Sequence, residues 1–355
     1  MCPYRLLRQY NLIDTKDTDW KGYQTMKTWI LAGIVLAMTT ASTDADETTY
    51  AERLGWDKGD RVLIIHVDDA GMSHDSNVGV IESVEQGAAN SFSVMMPCSW
   101  VPEIVNYIKK NPSADAGLHL TLTSEWNIYR WPPLTGKPAT PGLVDREGCM
   151  WRTVAEVVVN ATPDEVEREI RAQIDRARSM GFEPTHLDSH MGTLFATPEF
   201  MGRYIKVGIE TGIPIMFPGG HNYFISRQNP GLMDQARAAG KQIWEAGLPV
   251  LDDLHNFSYE WRGQGKDKKR TRKGSVHNKT DEYIDAIREL QPGVTMMIMH
   301  CTRPSETFAH ITDSGDTRLG DLEAMLDPAF QRALKEEGII LTTWRELKQR
   351  RDRAN

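Results

Sequence analysis

The chain has 355 residues, 40% of them hydrophobic and 25% charged. These are proportions of a folded chain, not a disordered or collagen-like one. A net charge of −8, from 49 acids against 41 bases, argues against a broad nucleic-acid-binding surface. The length suits two average domains or one large α/β barrel, with a core that needs no disulfide staples.

The first feature in chain order is a targeting segment. Met26-Lys27 precedes an apolar run from Trp29 to Met38, small residues around Ala41, then Asp44 and Asp46. This is the pattern of a signal peptide over 26–45, too short for a comfortable membrane span. Residues 1–25 show no periodicity, and the simplest account is that translation starts at Met26 and they are not native. An unusually long signal or an uncleaved anchor is the competing account. The expectation is export to the periplasm or the extracellular space, with no stable membrane span after processing. Beyond this segment Cys98, Cys149 and Cys301 are odd in number and lack C-x-x-C spacing, so they imply no disulfide framework.

From residue 60 strands and helices alternate. Arg61–Val67 reads as a buried strand, 77–86 as a helix, 92–96 as a strand, 101–109 as a helix and 116–120 as a third strand. Thr162-Pro163-Asp164-Glu165 opens a helix with a capping box and proline at its first position. Val166, Ile170, Ile174 and Ala177 form its apolar stripe, and Gly181 ends it. Further strands are expected at 185–188, 213–217, 248–251, 295–300 and 339–343. About eight strands alternating with helices read as one irregular (β/α) barrel over 60–348. Two stretches, about 124–153 and 221–278, are rich in Gly, Pro and aromatics and read as insertions over the active face. The basic run Lys266–Lys273 reads as a solvated loop.

Polar residues gather where strands end. Asp68-Asp69 follows the first strand, His119 lies near the end of the third, His186-Leu-Asp188-Ser-His190 ends the next, and His300 closes a later one. In a parallel barrel these ends open on one face. Extended spacing of two places 186, 188 and 190 on one side. Singly, His119 reads as a core histidine and Asp68-Asp69 as a turn cap; together they point to a metal. Two imidazoles and a carboxylate with an open position suit Zn²⁺ or another first-row divalent ion, which activates water and polarises a carbonyl. Asp68 fits a general base and His300 an acid for a leaving amine. Adjacent strand residues point to opposite sides, so Asp68 and Asp69 both reach the site only if the chain bends after Val67, which Ala70-Gly71 permits.

The motifs resemble one family. V-D-D-A-G-M-S at 67–73, Asn77-x-Gly79, Gly117-Leu-His-Leu120, His186–His190, Met299-His300, Arg318-x-x-Asp321-Leu and the closing Gly338–Leu347 are similar, in order, to the YdjC-like carbohydrate deacetylases of the chitooligosaccharide deacetylase type. The resemblance implies an irregular (β/α) barrel that removes acetyl groups from N-acetylated sugars with one divalent metal. It implies Asp69, His119 and His190 as ligands, Asp68 as base, His300 as acid, and His186 and Asp188 as residues that orient the ligands. The family often records Mg²⁺ where the ligand type favours Zn²⁺, and the ion stays open. Many members carry another histidine, facing the pocket mouth, where this chain has Gly192.

The substrate implied is an N-acetylated sugar or oligosaccharide. Trp126, Arg130 and Trp131 in the first insertion, and Arg303 beside His300, are candidates to bind it; for the two tryptophans a small core under the loop is the equal alternative. Trp151 and Trp344 read as structural. Two rival functions stand beside the deacetylase: another metal hydrolase on the same barrel, such as a non-sugar deacylase or a phosphoesterase, and a catalytically silent glycan-binding barrel. An arginine or lysine clamp at the metal would mark the phosphoesterase. The sequence leaves the sugar and the oligomeric state undefined.

Overall fold

Among the described residues, seven parallel strands curl into one sheet: β1 (Arg61–Ala70), β2 (Ser91–Val94), β3 (Ala116–Leu120), β4 (Leu187–Ser189), β5 (Asp253–His255), β6 (Gly293–Met299) and β7 (Ile340–Leu341). The structure, a computed structural model, describes residues 48–228, 230–261 and 279–354. The expected signal peptide, residues 1–25 and the basic run 266–273 lie outside them. The strand order is β4-β3-β2-β1-β6-β5, with β7 paired to the start of β1. All pairings within the sheet are parallel, so the carboxyl ends share one rim.

The expected strands at 213–217 and 248–251 do not form ladders. They make single parallel bridges, Leu187 to Ile215 and Pro218 to Leu251. Through these the pairing runs on from β4 toward β5, so the ring is completed irregularly. Within the stretch 221–278 the described residues include regular elements. It supplies the helix Met233–Glu245 and the strand β5, two residues past the expected place.

Helices cover the outside for reasons visible in their sequences. Pro163–Ser179 begins with the reciprocal Thr162–Glu165 capping box, and its stripe Val166, Ile170, Ile174 and Ala177 is buried. Gly181 leaves the helix with φ 78°. Thr153–Glu156 repeats the capping device one helix earlier. Leu63, Ile65 and Val67 of β1 pack into the larger apolar core with Ile104 and Ile170. Val62 and Ile64 belong to a second core with Val294, Met296 and Trp344. No described helix is long and apolar enough to cross a membrane.

Candidate metal centre at the carboxyl ends of the strands

Strand alternation decides which side chains enter the ring. Along β1, His66 and Asp68 continue the series Val62, Ile64, so that face passes from apolar to ionisable toward the carboxyl end. On β3, His119 lies between Leu118 and Leu120, which both belong to the outer core. On β4, Asp188 follows the outward Leu187. All these polar residues are buried.

A regular strand could not bring Asp68 and Asp69 to the same place. The register of β1 slips between Val67 and Ala70, and Asp69 takes φ 68°. The bend therefore falls on Asp69 itself, a residue type that tolerates left-handed backbone better than most. Gly71 follows at φ 82°.

Asp69 Oδ1 then lies 3.4 Å from His119 Nε2 and 3.4 Å from His190 Nδ1. The three donor atoms are within 4.8 Å of one another. The two rings are 5.0 Å apart and edge to face. Asp69 Oδ1 is buried without a hydrogen-bond partner, whereas Oδ2 accepts from Arg318 Nη1 at 2.7 Å. The far nitrogens are engaged: His119 Nδ1 meets Asp188 Oδ1 at 2.6 Å and His190 Nε2 meets Glu125 Oε1 at 3.0 Å. Carboxylates behind imidazoles orient metal-ligating rings and raise their basicity. An orphaned carboxylate oxygen facing two ring nitrogens fits a divalent cation.

The electrostatics agree with that fit. Burial opposes charge on both imidazoles, but Asp68 and Asp188 hold His119 well above its ordinary pKa. Against the same burial, Glu125 and Asp69 raise His190 to about 9. Burial would raise Asp69, yet the Arg318 guanidinium and the two histidines hold it well below the carboxylate range. The pocket is thus built to hold positive charge next to Asp69.

Asp68 stands beside this triad, with Oδ2 3.9 Å from His300 Nε2. The backbone N–H of His300 donates to Asp321 Oδ2, and its ring packs against Tyr259. Burial pushes His300 down to about 4, so near neutral pH it holds no extra proton and acts as an acid only after receiving one. His186 sits behind Asp188, with Nε2 3.8 Å from Oδ2, stacked on Trp344. His190 ends the extended run: it opens a tight turn in which Met191 and Gly192 both have positive φ. The run therefore divides, with His190 at Asp69 and His186 deeper in the ring.

Three residues of the site escaped sequence reasoning. His66 was read as strand core, although it lies two positions before Asp68 and so on the same face. Glu125 gives no local signal at all. Arg318 belongs to a noticed motif, but only the fold brings the helix Gly315–Leu326 against Asp69.

The expected sugar contacts are placed otherwise. Trp131 is 3% exposed, lies with Met72, Met95, Met150 and Phe308 in a satellite core, and donates Nε1–H to Thr123 O. Its faces are covered, which corrects the stacking role. Arg130 is consumed by Asp145, Glu147 and Met150 O within its own loop. Arg303 turns outward to Glu82, with Nε 2.7 Å from Oε2. Trp126 stays half-buried beside Trp131 and Tyr129.

A model of the YdjC-like protein family matches residues 62–336. A carbohydrate deacetylase of Brevibacillus brevis is 31% identical over 159 residues, 44% of this chain; the match spans 59% of that protein, less than two thirds of its length. A carbohydrate deacetylase of Thermus thermophilus is 28% identical over 298 residues, 84% of this chain and 97% of that one. Among solved structures, an Enterococcus faecalis protein named for cellobiose-phosphate cleavage superposes with a TM-score of 0.65 at 19% identity, over 81% of this chain and 99% of its own. That likeness speaks for the fold.

Proposed function

The chain belongs to the YdjC-like family, and from that premise we propose that it is a carbohydrate deacetylase that hydrolyses the N-acetyl group of an amino sugar in an oligosaccharide or glycan, releasing acetate. The observation that carries this reading is the convergence of Asp69, His119 and His190 on one buried point with Asp68 beside it. Those three residues would hold a divalent ion, Zn²⁺ by ligand type or Mg²⁺ as in the family's habit, and the ion would supply activation of water and polarisation of the acetamide carbonyl. Asp68 takes the proton of the attacking water. The amide C–N bond breaks as the new C–O bond forms, and the amine leaves with a proton. His300, neutral at rest and 3.9 Å from Asp68, passes on the proton that Asp68 has taken; that proximity supports the reading. The buried Arg318 is committed to Asp69 rather than free to clamp a phosphoester, which favours the amide reading among the described residues.

Acetate release from a panel of N-acetylated oligosaccharides tests the reading. Chelation should abolish release, and returned Zn²⁺ or Mg²⁺ should restore it. Full activity in protein shown by elemental analysis to be metal-free would reject it.

A further inference from the structure

His66 is fully buried and is the inward residue one step below Asp68 on β1. Its ring is held at both nitrogens by the inward serines of β2: Nδ1 lies 2.9 Å from Ser91 Oγ and Nε2 3.1 Å from Ser93 Oγ. The same Nε2 is 3.2 Å from Asp68 Oδ1 and 3.0 Å from Asp188 Oδ2. Asp188 in turn holds His119 through its other oxygen. Two carboxylates this close would repel each other in a dry interior, and His66 is the group between them. The serines remove its freedom to turn away.

We propose that His66 is a positioning residue: clamped by Ser91 and Ser93, it fixes the carboxylate of Asp68 toward the reacting water and separates it from Asp188. This rests on the deacetylase reading with Asp68 as base. His66 touches no substrate atom; it acts through Asp68. His186 differs from it: its ring packs edge-on against His66 and stands 3.8 Å from the same Asp188 oxygen, whereas the ion pair to Asp68 is made by His66.

The test compares His66→Phe, which keeps ring bulk without polar atoms, and His66→Gln, which keeps an N–H donor, in the metal-loaded full chain. His66→Phe should lose about tenfold to a hundredfold in kcat, the usual worth of an outer orienting partner, with KM and bound metal unchanged. His66→Gln should recover most of that loss. In an Asp68→Asn background the phenylalanine should cost less than about twofold more, because the partner it serves is already gone. A full additional loss there, or loss of metal in the single variant, would overturn the proposal. A readout free of any sugar is the imidazole ¹⁵N resonance of His66, identified by its disappearance in His66→Gln. It should shift on Asp68→Asn; an unmoved resonance overturns the proposal even if the phenylalanine is not accommodated. A native chain that releases no acetate would instead defeat the deacetylase reading, and the resonance would still decide the contact between His66 and Asp68.

Discussion

Asp68 and Asp69 are chemically identical neighbours turned toward different partners by one unusual φ angle. Substituting asparagine separates them. Asp68→Asn should keep its metal and lose roughly two to four orders of magnitude in turnover, the range for a positioned general base. Asp69→Asn should instead lower metal content, because the orphaned oxygen facing His119 and His190 loses its charge; elemental analysis of the two purified variants decides. The same centre sets a pH dependence. His190 is raised to about 9 when no cation is present, so below that pH a proton must leave before the ion enters. Metal uptake at limiting concentration should strengthen steadily as pH rises toward about 9, followed by calorimetric titration. For the metal-free chain the sign is opposite. A histidine whose folded pKa is raised stabilises fully below its unfolded value near 6.5 and loses that contribution as pH climbs through 9. At this scale the sequence told which residue types end the strands, and the family resemblance implied Asp69, His119 and His190 among them as ligands. It could not tell that Arg318 would occupy Asp69 Oδ2 or that Glu125 would back His190, since both arrive from distant segments.

At the level of elements, legibility followed the strength of local signals. The helix Pro163–Ser179 was readable because its capping box, proline and apolar stripe agree. Ile213–Phe217 was read as a strand because it is apolar and β-branched, but propensity does not guarantee a ladder, and there only one bridge forms. The loop 124–153 was aromatic enough to suggest a sugar platform; burial gave Trp131 to a satellite core instead. One element-level constraint was invisible in sequence. A methyl group at Gly117 on β3 would sit 2.4 Å from the His186 ring. Gly117→Ala should therefore destabilise the fold by roughly 1–3 kcal/mol, the usual scale of overpacking, in a chemical denaturation curve. It should also weaken activity, because displacing His186 disturbs Asp188 and, through it, His119.

For the whole molecule, the expected export rests on Met26–Asp46 alone. If those residues are a signal peptide, the mature chain begins shortly after residue 41 and is recovered outside the cytoplasm. Amino-terminal sequencing of a soluble cytoplasmic pool that still carries Met1–Gln24 would refute this. The broad architecture was legible because alternating elements with polar strand ends admit few arrangements. How the circle of strands is finished was not. From β4 through β1 to β6 the ladders are continuous, and every residue proposed for chemistry comes from that arc or from the turns leaving it. On the opposite side single bridges at 215 and 251 hold the seam. Pairing there is shorter than along the ladders of the arc, and short pairing favours local opening. Amides along 213–218 and 248–251 should exchange with deuterated solvent well before those of β1, β3 and β6. The barrel can then breathe along one side while the arc that carries the proposed metal ligands stays shut, which separates the softest part of the fold from the part whose geometry the proposed chemistry needs.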